Sequence, residues 1–214
     1  MSLNQLRVLV VYFTRTANTK KVCDLVQGEF LKLGITPIIE SVNYKDSKPG
    51  AWQYIKHVVK AGVGSKYTLD AQPTNDASQF DIVIFGAPVW DWSFAPPILE
   101  WMKMSKFNRD RTSFGLFIQM GGSGFEKCVK QTESELKTKV TSFIATKDAE
   151  LRNSEELTKK VSNFVNEMLR LHEQRQSSSV VSPDEEKKSA TVEKIESKPE
   201  KINDEAKEDE GKSN

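Results

Sequence analysis

Residues 6–19 read Leu6-Arg7-Val8-Leu9-Val10-Val11-Tyr12-Phe13-Thr14-Arg15-Thr16-Ala17-Asn18-Thr19, and this stretch decides the fold. Its first eight residues are apolar but for Arg7, and the run falls well short of the ~20 residues needed to span a membrane. It also lacks the basic start and small-residue cleavage site of a secretory leader. Apolar on both faces, it suits a parallel strand covered by helices on each side. The run ends in three Thr and an Asn. Val22, Leu25, Val26 and Phe30 then recur at i, i+3, i+4 and i+8, the apolar stripe of a helix packed on a sheet. Strand, polar loop and helix together form the repeating unit of an α/β domain.

The same alternation continues outward. Apolar runs predict strands at Leu6–Phe13, Ile35–Glu40, Asp81–Gly86, Thr112–Met120 and Val140–Thr146. Helical spacing predicts helices at Asn18–Leu33, Ala51–Ala61, Pro96–Lys106, Gly124–Lys137 and Ser154–Glu173. This order implies one three-layer α/β domain over residues 1–175, with an open parallel sheet of five strands in the spatial order 2-1-3-4-5. Residues 176–214 differ in composition: they hold no aromatic residue and 7 Lys against 11 Asp and Glu, which leaves 24 basic against 19 acidic residues in the first 175. So few apolar side chains cannot offset a backbone ordering cost of ~1–2 kcal/mol per residue, and a disordered Ser/Glu/Lys-rich tail is expected there.

Overall charge is balanced, with 31 Lys and Arg against 30 Asp and Glu, which excludes a strongly basic nucleic-acid binder. Cys23 and Cys128 are too few for a disulfide framework or a four-cysteine metal site, and each is expected to be a small core residue. Neither His57 nor His172 has a metal-ligating cluster around it, so no metal site is expected. His57 reads as a structural or surface residue, and His172 as a cation suited to the end of the last helix. No Gly-x-Ser-x-Gly elbow supports a serine hydrolase. A cytoplasmic location is expected.

In an open α/β sheet, ligands bind beyond the carboxyl ends of the strands, where the winding direction reverses. Three unusual connections fall there. The first, Thr14-Arg15-Thr16-Ala17-Asn18-Thr19, offers hydroxyl and amide donors beside the start of a helix, whose unpaired N–H groups attract an anion; Arg15 adds a charge. The second, Ala87-Pro88-Val89-Trp90-Asp91-Trp92-Ser93, carries two indoles that no helical period explains and that suit a flat aromatic ligand. Asp91 between them reads more readily as a loop-stabilising acceptor than as a substrate contact. The third, Gly121-Gly122-Ser123-Gly124, exposes backbone without side chains.

These three segments resemble the flavin loops of the flavodoxin-like family. Residues 12–21, Tyr-Phe-Thr-Arg-Thr-Ala-Asn-Thr-Lys-Lys, are similar to its phosphate-loop pattern aromatic-x-[ST]-x-T-G-N-T. Residues 86–97 and Met120–Gly124 are similar to the second and third flavin loops of its short members. The resemblance spans roughly residues 6–172 and implies noncovalent binding of FMN. It implies that Thr14, Thr16, Asn18 and Thr19 hold the phosphate and that Trp90 or Trp92 flanks the isoalloxazine. Met120, Gly121, Gly122, Ser123 and Gly124 would meet the pyrimidine edge. Ala17 departs from the pattern, which has Gly there. If that position needs positive φ, alanine costs on the order of 1 kcal/mol.

The expectation is thus an FMN-binding redox protein, either an electron carrier or a small quinone- or iron-complex-type reductase in which the flavin does the electron chemistry and no side chain is catalytic. Its partner would be a redox protein or a small electron acceptor such as a quinone, and the chain a monomer or homodimer. The alternative is a flavin-free protein of the same fold that serves interaction or regulation. The long Tyr44–Asp76 connection would shape what approaches the ring.

Overall fold

The structure, a computed structural model, describes residues 5–43, 69 and 71–180, with side chains through 178. The chain divides into a compact unit, Met1–Gln176, and a second unit, Ser177–Asn214. Of the latter only residues 177–180 are described, so the expected tail lies outside the described residues beyond 180. The expected helix at 51–61, with His57, and most of the 44–76 connection lie outside them too.

The described elements, in chain order, are β1 (Val8–Tyr12), α1 (Asn18–Lys32), β2 (Ile38–Ser41), a 3-10 turn (Ala77–Gln79), β3 (Ile82–Trp90), β4 (Ser93–Phe94), α2 (Pro96–Met104), β5 (Ser113–Met120), α3 (Phe125–Leu136), β6 (Ser142–Lys147), a second 3-10 turn (Glu150–Arg152) and α4 (Ser154–Val180). The five long strands lie parallel in the order β2-β1-β3-β5-β6, which is the expected 2-1-3-4-5 arrangement. A sixth strand was not anticipated: β4, two residues long, folds back antiparallel on the end of β3.

Alternation along the strands divides the core between the two faces. Leu9, Val11, Val83, Phe85, Leu116 and Ile118 pack with Ile98, Trp101 and Cys128 of α2 and α3. Val8, Val10, Ile82, Ile84 and Phe117 pack with Val22, Cys23, Val26 and Phe30 of α1 and Val161, Val165 and Met168 of α4. β1 and β5 are buried along their whole length and β3 up to Ala87, as strands covered on both sides must be. Gly86 belongs to that packing: it pairs with Phe117, and a Cβ built on it would fall 1.8 Å from that ring.

Cys23 and Cys128 are buried free thiols, as expected, and burial pushes the thiol of each up to about 12. His172 departs from expectation. α4 runs past Glu173 to Val180, so His172 lies within the helix rather than near its end. It is buried, with Nδ1 2.9 Å from Ser113 Oγ, and burial chiefly holds its pKa below the ordinary histidine value against the raising field of Asp81. The extra turn is anchored by Arg175, whose guanidinium donates to the Thr112 carbonyl at 2.9 Å and to that of Arg109, and by Gln176, which donates to the Arg111 carbonyl at 2.9 Å.

A buried carboxylate secures the other end of the long connection. Glu40 in β2 accepts hydrogen bonds from Trp101 Nε1 at 2.7 Å, from Asn75 Nδ2 at 2.6 Å and from the Thr74 and Asn75 backbones. Burial pushes this carboxyl up, but the hydrogen bonds from Asn75, Thr74 and Trp101 outweigh it and hold the pKa below the ordinary value.

Candidate functional site

The carboxyl edge of the sheet is uneven because β3 is long. Tyr12, the last residue of β1, pairs with Gly86, so β3 continues four residues beyond its neighbour. At ~3.3 Å per residue that is about 13 Å of strand standing above the end of β1. Trp90 therefore lies in a strand, not in a loop as the sequence suggested. Its ring meets Phe13 edge-on with centroids 5.3 Å apart, at the junction of β1 and β3 where the winding reverses.

Asp91 and Trp92 form the two-residue turn joining β3 to β4, with φ of 48° and 59°. Positive φ at both central positions marks the hairpin turn that matches strand twist, usually made by Asn-Gly. A tryptophan in this backbone region is strained, and such strain persists only where its surroundings fix it. They do so here from α3. Gln131 Oε1 accepts from Ser93 Oγ at 2.9 Å and from the Phe94 backbone at 3.2 Å, holding β4 to that helix. Trp92 is left 60% exposed, as a flat apolar wall beside polar loops. Pro88 and Val89, in the end of β3 that forms the hairpin, are half-buried, and Asp91 is exposed.

The third connection touches the second. Gly124, at φ 106°, precedes α3, and a Cβ on it would come 3.2 Å from Val89 Cγ1 and 3.5 Å from Trp92 Cε3. Its glycine thus follows from the fold. Gly121 and Gly122 differ, because a Cβ on either would meet nothing within 4 Å and neither needs positive φ. Among the described residues none comes within 4 Å of where those Cβ atoms would stand. Ser123 is exposed and Met120 buried.

The first connection enters α1 through Ala17 at φ 64°, ψ 0°. The position does demand a left-handed conformation, so the alanine there is strained. No side chain caps α1 and its own first turn holds no acidic residue, so the helix brings no counter-charge of its own to its positive end. Thr14 Oγ1 is buried without a hydrogen-bond partner. Thr16 is exposed, Arg15 and Asn18 are half-buried, and Thr19 is only 1% exposed, so its side chain lies under the helix start.

Sequence reasoning missed the residues that tie these connections together. Asp148, after β6, accepts from Asn18 Nδ2 at 3.1 Å and from Gln119 Nε2 at 2.8 Å, and its backbone N–H donates to the Met120 carbonyl at 3.2 Å. Thr146 Oγ1 donates to Gln119 Oε1 at 2.6 Å. Asn18 and Asp148 are 130 positions apart, and Gln131 lies 37 and 38 from its partners, so no local pattern could have revealed either link. All three specialised loops, joined by a fourth, meet on one side of the molecule.

Hydroxyl, amide and helix N–H donors, an exposed indole and bare glycine backbone at the carboxyl edge of one sheet are a set of groups that fits a flavin mononucleotide. The unpartnered Thr14 hydroxyl, the uncapped helix and the space beside Gly121 and Gly122 are the features of fit. Among the described residues no cluster of His, Cys, Asp and Glu could hold a metal ion, and no helix is long and apolar enough to cross a membrane.

No family model matches the chain, and no curated protein matches it in sequence. Solved structures do match in shape. A flavoprotein from Lactobacillus acidophilus NCFM, crystallised in complex with FMN, is 18% identical with a TM-score of 0.51, over 70% of this chain and 99% of its own. Putative flavoproteins from Bacteroides uniformis and Bacteroides eggerthii are each 14% identical. Their TM-scores are 0.56 and 0.52, over 75% and 72% of this chain and 98% of each of theirs. At these identities the likeness establishes the flavodoxin-like fold.

Proposed function

We propose that this chain binds FMN noncovalently at the carboxyl edge of its sheet and acts as a redox protein, either an electron carrier or a small flavin-dependent reductase of quinone type. The observation that carries the reading is the convergence of the three loops, with Gly124 against Trp92, Phe13 against Trp90 and Asn18 at the start of α1 tied through Asp148 to Met120. When bound, the flavin supplies the transfer of one or two electrons. The protein's residues do the rest. Thr14, Thr16, Asn18 and the first N–H groups of α1 hold the phosphate, with Arg15 adding charge. Trp92, exposed at the turn of the hairpin, would lie against the ring and shield that face from water. Gly121 and Gly122 let backbone N–H groups approach closely. No side chain serves as acid, base or nucleophile. The flavoprotein from Lactobacillus acidophilus, of the same fold and solved with FMN, supports the choice of ligand.

A second reading, a flavin-free interaction protein, draws support from Ala17 and from the engagement of Asn18 by Asp148. The visible spectrum of the purified protein and an FMN titration of the apo-protein decide between them. A flavin band, or quenching of flavin fluorescence at micromolar ligand, is expected; absence of both overturns the proposal.

A further inference from the structure

The connection after β6 brings a negative charge to a site otherwise furnished for an anion. Asp148 is held from the sheet, through Gln119 and its own backbone bond to Met120, and reaches Asn18 at the first position of α1. The cations near that helix start are partly committed: Lys20 is paired with Asp24 at 2.7 Å. α1 has no cap and no acid of its own in its first turn, so Asp148 is an acid from another element placed where the helix field favours one.

We infer that Asp148 is a specificity-determining residue toward the ligand's phosphate: its carboxylate accepts from the Asn18 side chain at the first position of α1, and its charge opposes a phosphate held beside that helix start. The ligand's identity rests on the flavin proposal, whereas the charge effect does not. A phosphorylated ligand would bind more weakly than the donor set allows, while a neutral ligand with the same ring would be indifferent to Asp148. Like charges a few ångströms apart at a wet surface interact modestly and are screened over about 10 Å at 0.1 M salt, so the effect belongs to low ionic strength.

The test compares the wild type with Asp148→Asn, which keeps an Oδ1 acceptor for Asn18 and Gln119 while removing the charge and turning the other oxygen into an amide donor. FMN and riboflavin, which lacks the phosphate, are titrated into both apo-proteins at low and high salt, and inorganic phosphate is titrated while thermal unfolding is followed. FMN should bind the variant about 5–10-fold more tightly at low salt, with the gain shrinking at about 0.5 M salt. Riboflavin affinity should change by less than about twofold, and phosphate should raise the melting temperature of the variant more than that of the wild type. Equal FMN affinity in the two proteins, or an equal gain for riboflavin, overturns the inference. If neither flavin binds either protein, the flavin proposal fails and phosphate alone decides: greater protection of the variant upholds the charge effect, and equal protection overturns it.

Discussion

Replacing Ala17 by glycine is expected to stabilise the protein, although it deletes a methyl group. Ala17 sits at φ 64°, ψ 0°, where an L-residue with a Cβ costs about 1–2 kcal/mol through its clash with the following carbonyl. Glycine removes that cost but restores about 0.4–1 kcal/mol of backbone entropy to the unfolded chain. The methyl group is on an exposed residue, so little apolar burial is lost. The net gain is about 0.5–1 kcal/mol. For a domain of this size 1 kcal/mol moves the midpoint by about 2–4 °C, so Ala17→Gly should raise it by about 1–4 °C. Two companions make the sign diagnostic. Lys137, at φ 55° after α3, should respond to glycine in the same direction. Ala149, at φ −65° and ψ −36°, is unstrained, and Ala149→Gly should lower the midpoint by a similar amount. Differential scanning calorimetry of the three apo-proteins is the assay. If Ala17→Gly falls with Ala149→Gly instead of rising with Lys137→Gly, the strain argument is wrong.

Four other outcomes follow from the geometry. Gly86→Ala should lower stability by about 2–3 kcal/mol or more in denaturant titration, because its methyl would collide with the Phe117 ring; a neutral result would mean that Phe117 does not cross this position. Gly121→Ala and Gly122→Ala should leave apo-protein stability within about 0.5 kcal/mol yet weaken FMN binding several-fold, and unaltered affinity in both would show that the ligand does not use that space. Trp92→Ala should cost about 3–10-fold in FMN affinity with little change in melting temperature, since the exposed indole has more to offer a ligand than the fold; unchanged affinity would mean it does not stack. Acid should weaken the protein in two stages. As the pH falls below ~6.5 the unfolded chain takes up a proton that buried His172 resists, and below ~4.3 Glu40, whose folded pKa is depressed, progressively loses its stabilising charge. His172→Gln should flatten the first stage and Glu40→Gln the second, as read by unfolding at stepped pH.

The parts of this fold legible in the sequence were those whose cause is local. LRVLVVYF and DIVIFG are apolar on both faces, and that pattern alone places β1 and the first half of β3 inside a covered parallel sheet. Pro96 and Pro97 announce the start of α2 for the same reason. The β3–β4 hairpin was not legible, because its turn is Asp91-Trp92 where the usual Asn-Gly signal is absent, and contacts remote in sequence, with Gly124 and Gln131, help to hold it. His172 misled for a related reason: the anchors that extend α4 are backbone carbonyls of residues 109–112, remote in sequence. The three loops announced themselves by composition, whereas Asp148 and Gln119 carry no local mark and emerge only once β5 and β6 lie side by side.

The state of the two sulfurs has a practical side. With both native thiols interior and their ionisation displaced to about 12, neither offers a nucleophile to alkylating or dye-coupled maleimides under mild conditions. A single cysteine introduced at exposed Ser123 would then be the one site to accept a spectroscopic label. The mouth of the crevice could be watched during ligand capture without stripping the native sulfurs from the interior first.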